Sequence, residues 1–283
     1  MTTPQVFDNR RCALGEGPLW HPERGQLFWF DILGKRLLSR DETGPRYWQF
    51  DEHVSAAGWI DRDTLLVASE TALFRFDIET GAREPVAPLE ADNPVTRSND
   101  GRADPFGGFW ISTMGKAAEP RAGAIYRFYK GRLTRLFADI TIPNAICFAP
   151  DGKAAFFADT VDKRILRQNL DAAGWPKGAP ELFVDLAAEG LNPDGAVVDA
   201  DGCLWNAQWG AARIARYAPD GRFLSAVRLP ARQASCPAFG GPALTTLFAT
   251  SAATGIETPA DGDGLTFSVE TGIAGQAEHR VKV

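Results

Sequence analysis

Short runs of aromatic, aliphatic and β-branched residues recur along the whole chain. They lie at 27–31 (Leu-Phe-Trp-Phe-Asp), 65–68, 109–112, 155–159, 204–207 and 246–249. Each is followed by a second run in which apolar and polar positions alternate, at 36–39, 73–76, 124–127, 164–167, 213–216 and 264–267. Turn formers close several of these pairs, as in Thr80-Gly81, Lys130-Gly131, Asp220-Gly221 and Thr271-Gly272. Others precede the first run, as in Asp151-Gly152 and Asp201-Gly202. A side-chain period of two between turn signals predicts strands and hairpins, and no long stretch carries the 3.6-residue period of a helix.

The first runs begin about 40 to 50 residues apart, the spacing of four-stranded propeller blades. Counting the units predicts an all-β, six-bladed β-propeller, with residues 1–283 as one domain, since no linker or shift of composition divides them. A β-sandwich would explain the short strands but not the same pair of runs repeated six times. The 27–31 type of run is expected to be the innermost strand of each blade. Polar residues on the turns ahead of it would then converge at one mouth of the channel.

Four segments supply such residues. Thr96 to Gly115, TRSNDGRADPFGGFWISTMG, gathers Arg97, Asn99 and Asp100 beside Asn-Asp-Gly and Asp-Pro turn signals. In Leu-Gly-Glu-Gly-Pro-Leu-Trp (14–20), Glu16 stands between two glycines and ahead of a proline. In Ile-Pro-Asn-Ala-Ile-Cys-Phe (142–148), Asn144 is one amide in an apolar segment, where an unpaired buried amide would cost about 1–3 kcal/mol. In Asn-Pro-Asp-Gly (192–195), Asp194 precedes a new apolar run. Taken singly, each has a plain reading: a solvated loop acid, a turn cap, a β-turn. Taken together at the mouths of blades one, four and five, Glu16, Asn144 and Asp194 offer three oxygen donors to one hard divalent cation.

The totals narrow the partners. A formal charge of −6 argues against nucleic acid and anionic membranes. No window is long and apolar enough for a membrane span, and the first residues lack an apolar signal core, so a cytoplasmic location is expected. Cys12, Cys147, Cys203 and Cys236 form no Cys-x-x-Cys pair and read as buried free thiols. No Gly-x-Ser-x-Gly elbow is present, which argues against a nucleophilic hydrolase. His21, followed by Pro22, reads as part of a surface turn.

The motifs at 14–20, 97–115, 142–152 and 192–205 resemble the senescence marker protein, gluconolactonase and luciferin-regenerating enzyme superfamily, whose best-known member is regucalcin. The resemblance runs over nearly the whole chain. It implies a six-bladed propeller with one divalent ion at the channel mouth: calcium first, with magnesium, manganese, zinc or iron as alternatives. It implies hydrolysis of a small-molecule sugar lactone, with Glu16, Asn144 and Asp194 as metal ligands and Asp194 also as general base. Arg97 and Asn99 would hold the sugar hydroxyls. The family usually has Asn-Gly where this chain has Asn144-Ala145. Regucalcin places a substrate-binding Glu shortly after a Thr-Met pair. The matching stretch here is Gly115-Lys116-Ala117-Ala118-Glu119, so Lys116 or Glu119 is expected to take over that contact. The alternative function is a non-catalytic calcium-binding regulator.

Overall fold

The computed structural model describes residues 3–283. Among them lie twenty-four strands in six antiparallel sheets of four, arranged as a six-bladed β-propeller. Blade one runs outward through Gly15–His21, Gln26–Asp31, Arg36–Asp41 and Gly44–Gln49. The inner strands of blades two to six are Val54–Asp61, Thr96–Ala103, Pro143–Phe148, Asn192–Val198 and Gln233–Gly240. Blade six takes its outermost strand from the other end of the chain, where Gln5–Asp8 pairs with Thr266–Glu270, Val6 opposite Phe267. That exchange joins the two ends and leaves no gap in the ring.

The hydrophobic core lies between the blades. Phe28, Phe30, Leu65 and Phe76 pack where blades one and two meet, and Ile111 and Phe109 pack against Leu66 where two and three meet. The same happens around the ring to Cys12, Trp29 and Phe248 between six and one. A strand covered on both faces reads as an unbroken apolar run, and Gln26–Asp31 is buried at every residue. The outer strand Gly44–Gln49 alternates half-buried and exposed positions. The four cysteines are buried and unpaired.

Two expectations need correction. The apolar runs taken for innermost strands are the second strands of their blades. The polar motifs thought to be turns ahead of them are the innermost strands themselves. Their short polar and turn-forming residues hid the strand, because the pairing is interrupted at those residues. His21 is not on a surface turn. It is fully buried at the end of Gly15–His21, its Nε2 3.0 Å from the Asp61 carbonyl oxygen and its ring near Phe28 and Trp59.

Candidate active site

Each motif strand carries a β-bulge at its chemistry. The ladder register shifts between Glu16 and Leu19, between Ser98 and Gly101, between Asn144 and Cys147, and between Pro193 and Ala196. A bulge adds one residue to a strand and re-aims its side chains. Here it interrupts the alternation, so residues that a regular strand would turn into the blade face the channel. The bulge in blade one needs both glycines. Gly17 has φ +52°, and a Cβ on Gly15 would collide with the Ser251 carbonyl of blade six.

The bulge in blade four is made by Ala145, at φ +60°. An alanine in the left-handed region costs about 1–2 kcal/mol, which gives a physical reason for the glycine usual here. Ala145→Gly should therefore be neutral to stabilising, by up to about 1 kcal/mol once the greater freedom of unfolded glycine is counted. Urea denaturation checks this, and a destabilised variant would show that the alanine methyl contributes more by packing than its backbone loses.

The bulged strands meet at a cavity of about 340 Å³, lined by Glu16, Arg97, Asn99, Asn144, Asp194 and Lys116 and walled by Leu33, Met114, Ile142 and Trp209. Glu16, Arg97, Asn99, Asn144 and Asp194 are all buried. Side chains from blades one, three, four and five, far apart in sequence, thus share one space. A hydrogen-bond chain fixes the amides. Arg97 Nη1 donates to Asn99 Oδ1 (2.9 Å), and Asn99 Nδ2 donates to Asn144 Oδ1 (3.2 Å) and to the Pro143 carbonyl (3.0 Å). Asn144 Nδ2 donates to Thr160 Oγ1 (2.9 Å), which donates to the Pro193 carbonyl (2.7 Å), next to Asp194. These contacts turn the Asn144 oxygen away from Thr160 and toward Asn99, its neighbour in the cavity lining.

Lys116 is at the cavity, its ammonium held at the rim by Glu70 and by the Pro94 carbonyl (2.9 Å). Glu119 is not among the lining residues. Its carboxylate folds back to accept the Ala117 N–H at 3.1 Å. Two further residues join the site that the sequence reading gave no role. Asp100 is buried beneath Asn99 and accepts the Ile146 N–H at 2.7 Å. Thr160, at the end of a second strand, orients Asn144.

The acids repel one another. Burial, and then the charge of Asp100, push Glu16 up to about 8, against the opposing Gly17 N–H and Arg97. Burial and the charges of Glu16 and Asp100 hold Asp194 well above the ordinary carboxylate range. Burial raises Asp100 to about 6 and lowers Arg97 to about 10. Glu16 and Asp194 have only the Arg97 guanidinium to oppose their charges, and Asp100 adds a third, so the cavity is short of positive charge. Among the described residues no three His, Cys, Asp or Glu side chains gather in metal-holding geometry. The cavity instead offers two carboxylates and an amide oxygen, hard donors that fit a divalent cation.

The family model described as SMP-30/Gluconolactonase/LRE-like region matches residues 14–253. The chain is 41% identical over 281 residues, 97% of its length, to 95% of a Rhizobium meliloti protein provisionally named a sugar lactone lactonase. It is 36% identical over 97% of its length to 94% of an L-arabinolactonase from Azospirillum brasilense. Among solved structures, a calcium-binding protein from Agrobacterium tumefaciens, described as regucalcin, superposes with a TM-score of 0.96 at 39% identity, over the full length of both chains.

Proposed function

The chain belongs to the SMP-30/Gluconolactonase/LRE-like family, and on that premise we propose that it is a metal-dependent lactonase that opens sugar-acid lactones with water. The observation that carries this is the shared cavity of Glu16, Asn144 and Asp194 with Arg97 and Asn99, five buried polar side chains on or beside the bulges that line one space. Lactonase-named relatives aligned over nearly the whole chain support it.

Glu16, Asn144 and Asp194 would hold the cation, which would supply the charge that keeps the carboxylates ionised and polarises the lactone carbonyl. Arg97 offers the guanidinium N–H groups not committed to Ser98 and Asn99 and so fixes ring hydroxyls. Holding the ring in one pose converts binding into orientation. Asp194 takes the proton of the attacking water, and the product leaves as the open-chain acid. Trp209 and Ile142 wall the cavity and suit the C–H face of a sugar ring. We take the chain as one domain, its N-terminal strand completing blade six.

The test is acid release from a panel of pentono- and hexonolactones, with the metal-stripped protein reloaded with Ca²⁺, Mg²⁺, Mn²⁺ or Zn²⁺ in turn. Turnover should require one of the ions. Calcium binding without turnover of any lactone would favour a non-catalytic calcium-binding protein, the reading that the regucalcin likeness keeps in view.

The raised carboxylates give a second test. Between the ordinary carboxylate range and about 8, the folded metal-free protein holds a proton at Glu16 that the unfolded chain has released, and the raised Asp194 carboxyl acts in the same direction. Their contribution to stability therefore falls as pH rises through that window. A cation displaces those protons, so the rise in Tm on adding saturating Ca²⁺ should be larger at about pH 8 than at about pH 5. An equal increment at both pH values would show that these acids are not the ligands.

A further inference from the structure

Beyond the last strand the chain turns back across the far end of the channel. Gln276 Nε2 donates to the carbonyls of Phe148 (3.1 Å) and Val198 (2.9 Å), at the ends of the inner strands of blades four and five. Trp59 Nε1 donates to the Glu278 carbonyl (2.8 Å), and the Val281 N–H donates to the Trp59 carbonyl (2.9 Å). Val281 is buried among Ala56, Ala103 and Phe109. Residues 275–282 thus form a floor under the channel.

Arg102 meets that floor from the strand that carries Arg97, Asn99 and Asp100. Its Nη1 pairs with the Glu278 carboxylate, and the two side chains are only 11% and 6% exposed. Its Nη2 reaches across the channel toward the carbonyls of Ala196 (3.4 Å) and Pro237 (3.5 Å), on blades five and six. Ala196 lies two residues beyond Asp194. Arg102 and Asp100 also attract each other. The guanidinium pairs with Glu278 on the floor, while the field of Asp100 reaches it from the side of the cavity.

We propose that Glu278 is a positioning residue for the cation site: by pairing with Arg102 from below, it balances that guanidinium's charge beneath the buried acids that bind the ion. The inference rests on the metal-dependent reading above. Without Glu278 the charge of Arg102 is left uncompensated in the channel and opposes the incoming cation. Even with screening close to that of water, one such charge several ångströms away weakens divalent binding by about tenfold.

The test is calorimetric titration of Ca²⁺, Mg²⁺ and Mn²⁺ into metal-stripped wild type, Glu278→Gln, Arg102→Gln and the double variant, with circular dichroism to show that each is folded. Glu278→Gln should bind the preferred ion about tenfold more weakly. Arg102→Gln should bind at least as tightly as wild type, and the double variant within about twofold of it. Opposite signs for the two single variants are what a purely structural floor would not produce. Wild-type affinity in Glu278→Gln, or equal weakening in all three variants, overturns the inference and leaves the metal reading standing. Should Glu278→Gln not fold, the other two decide, and weakened binding in either overturns it. A wild type that binds none of the three ions overturns the metal reading and this inference with it.

Discussion

Replacing Asp194 with Asn is expected to lower lactone turnover by about 10³-fold or more. The substitution keeps the side-chain volume, so the cavity and the bulge of Asn192–Val198 stay intact. It removes a carboxylate that serves twice: as one of two charged donors to the cation and as acceptor of the water's proton. Either loss alone would account for about two orders of magnitude. The two can be separated by measuring ion affinity beside kcat. If excess cation restores occupancy but not rate, the proton transfer was the larger loss. If rate returns with occupancy, Asp194 matters chiefly as a ligand. Hydrolysis at the wild-type rate with the ion still bound would remove Asp194 from both roles and take the proposed mechanism with it.

The blades were legible because the second strands keep unbroken apolar runs and the third strands keep their alternation, where nothing but packing is asked of the residues. The innermost strands were not. Leu-Gly-Glu-Gly-Pro and Asn-Pro-Asp-Gly look like turns because a bulge needs turn-forming residues, so the feature that builds the cavity also disguises the strand. Glu16, Asn144 and Asp194 could still be picked out, since an acid between glycines or an amide among apolar residues is conspicuous. Asp100 could not be given a role. In a regular strand it would face away from Asn99, and only the shift between Ser98 and Gly101 returns it to the channel. Thr160 carries no signal of its own. It matters because its hydroxyl lies 2.9 Å from an amide sixteen residues earlier in the chain. Glu119 is the opposite case, a conspicuous acid near a motif whose carboxylate is taken up by its own turn.

Asp104→Ala should be the most destabilising single change outside the site, at about 3–5 kcal/mol. Asp104 and Arg127 are both completely buried, with Arg127 Nε 2.7 Å from Asp104 Oδ2. The other carboxylate oxygen accepts the N–H groups of Phe106 (2.8 Å) and Gly108 (2.9 Å), holding the turn between the first two strands of blade three. Beyond that bond the guanidinium sits among rings, 4.4 Å from the Tyr129 centroid and 4.5 Å from that of Trp175. Aromatic faces attract a cation but cannot replace a carboxylate. Blade five repeats the design with Asp199, Trp205 and Arg216, but there the arginine side chain is 16% exposed and Asp201 lies 3.7 Å away. Asp199→Ala should therefore cost less, because its arginine can turn to water and to a second acid. At roughly 2–4 °C per kcal/mol for a chain somewhat shorter than this one, Asp104→Ala should lower Tm by about 10 °C. Pairing Asp104→Asn with Arg127→Met should lose less than Asp104→Ala alone, since no unpaired charge is left inside. If the double variant melts lower than the single, the aromatic cage around Arg127, and not its ion pair, is what holds blade three against its neighbours.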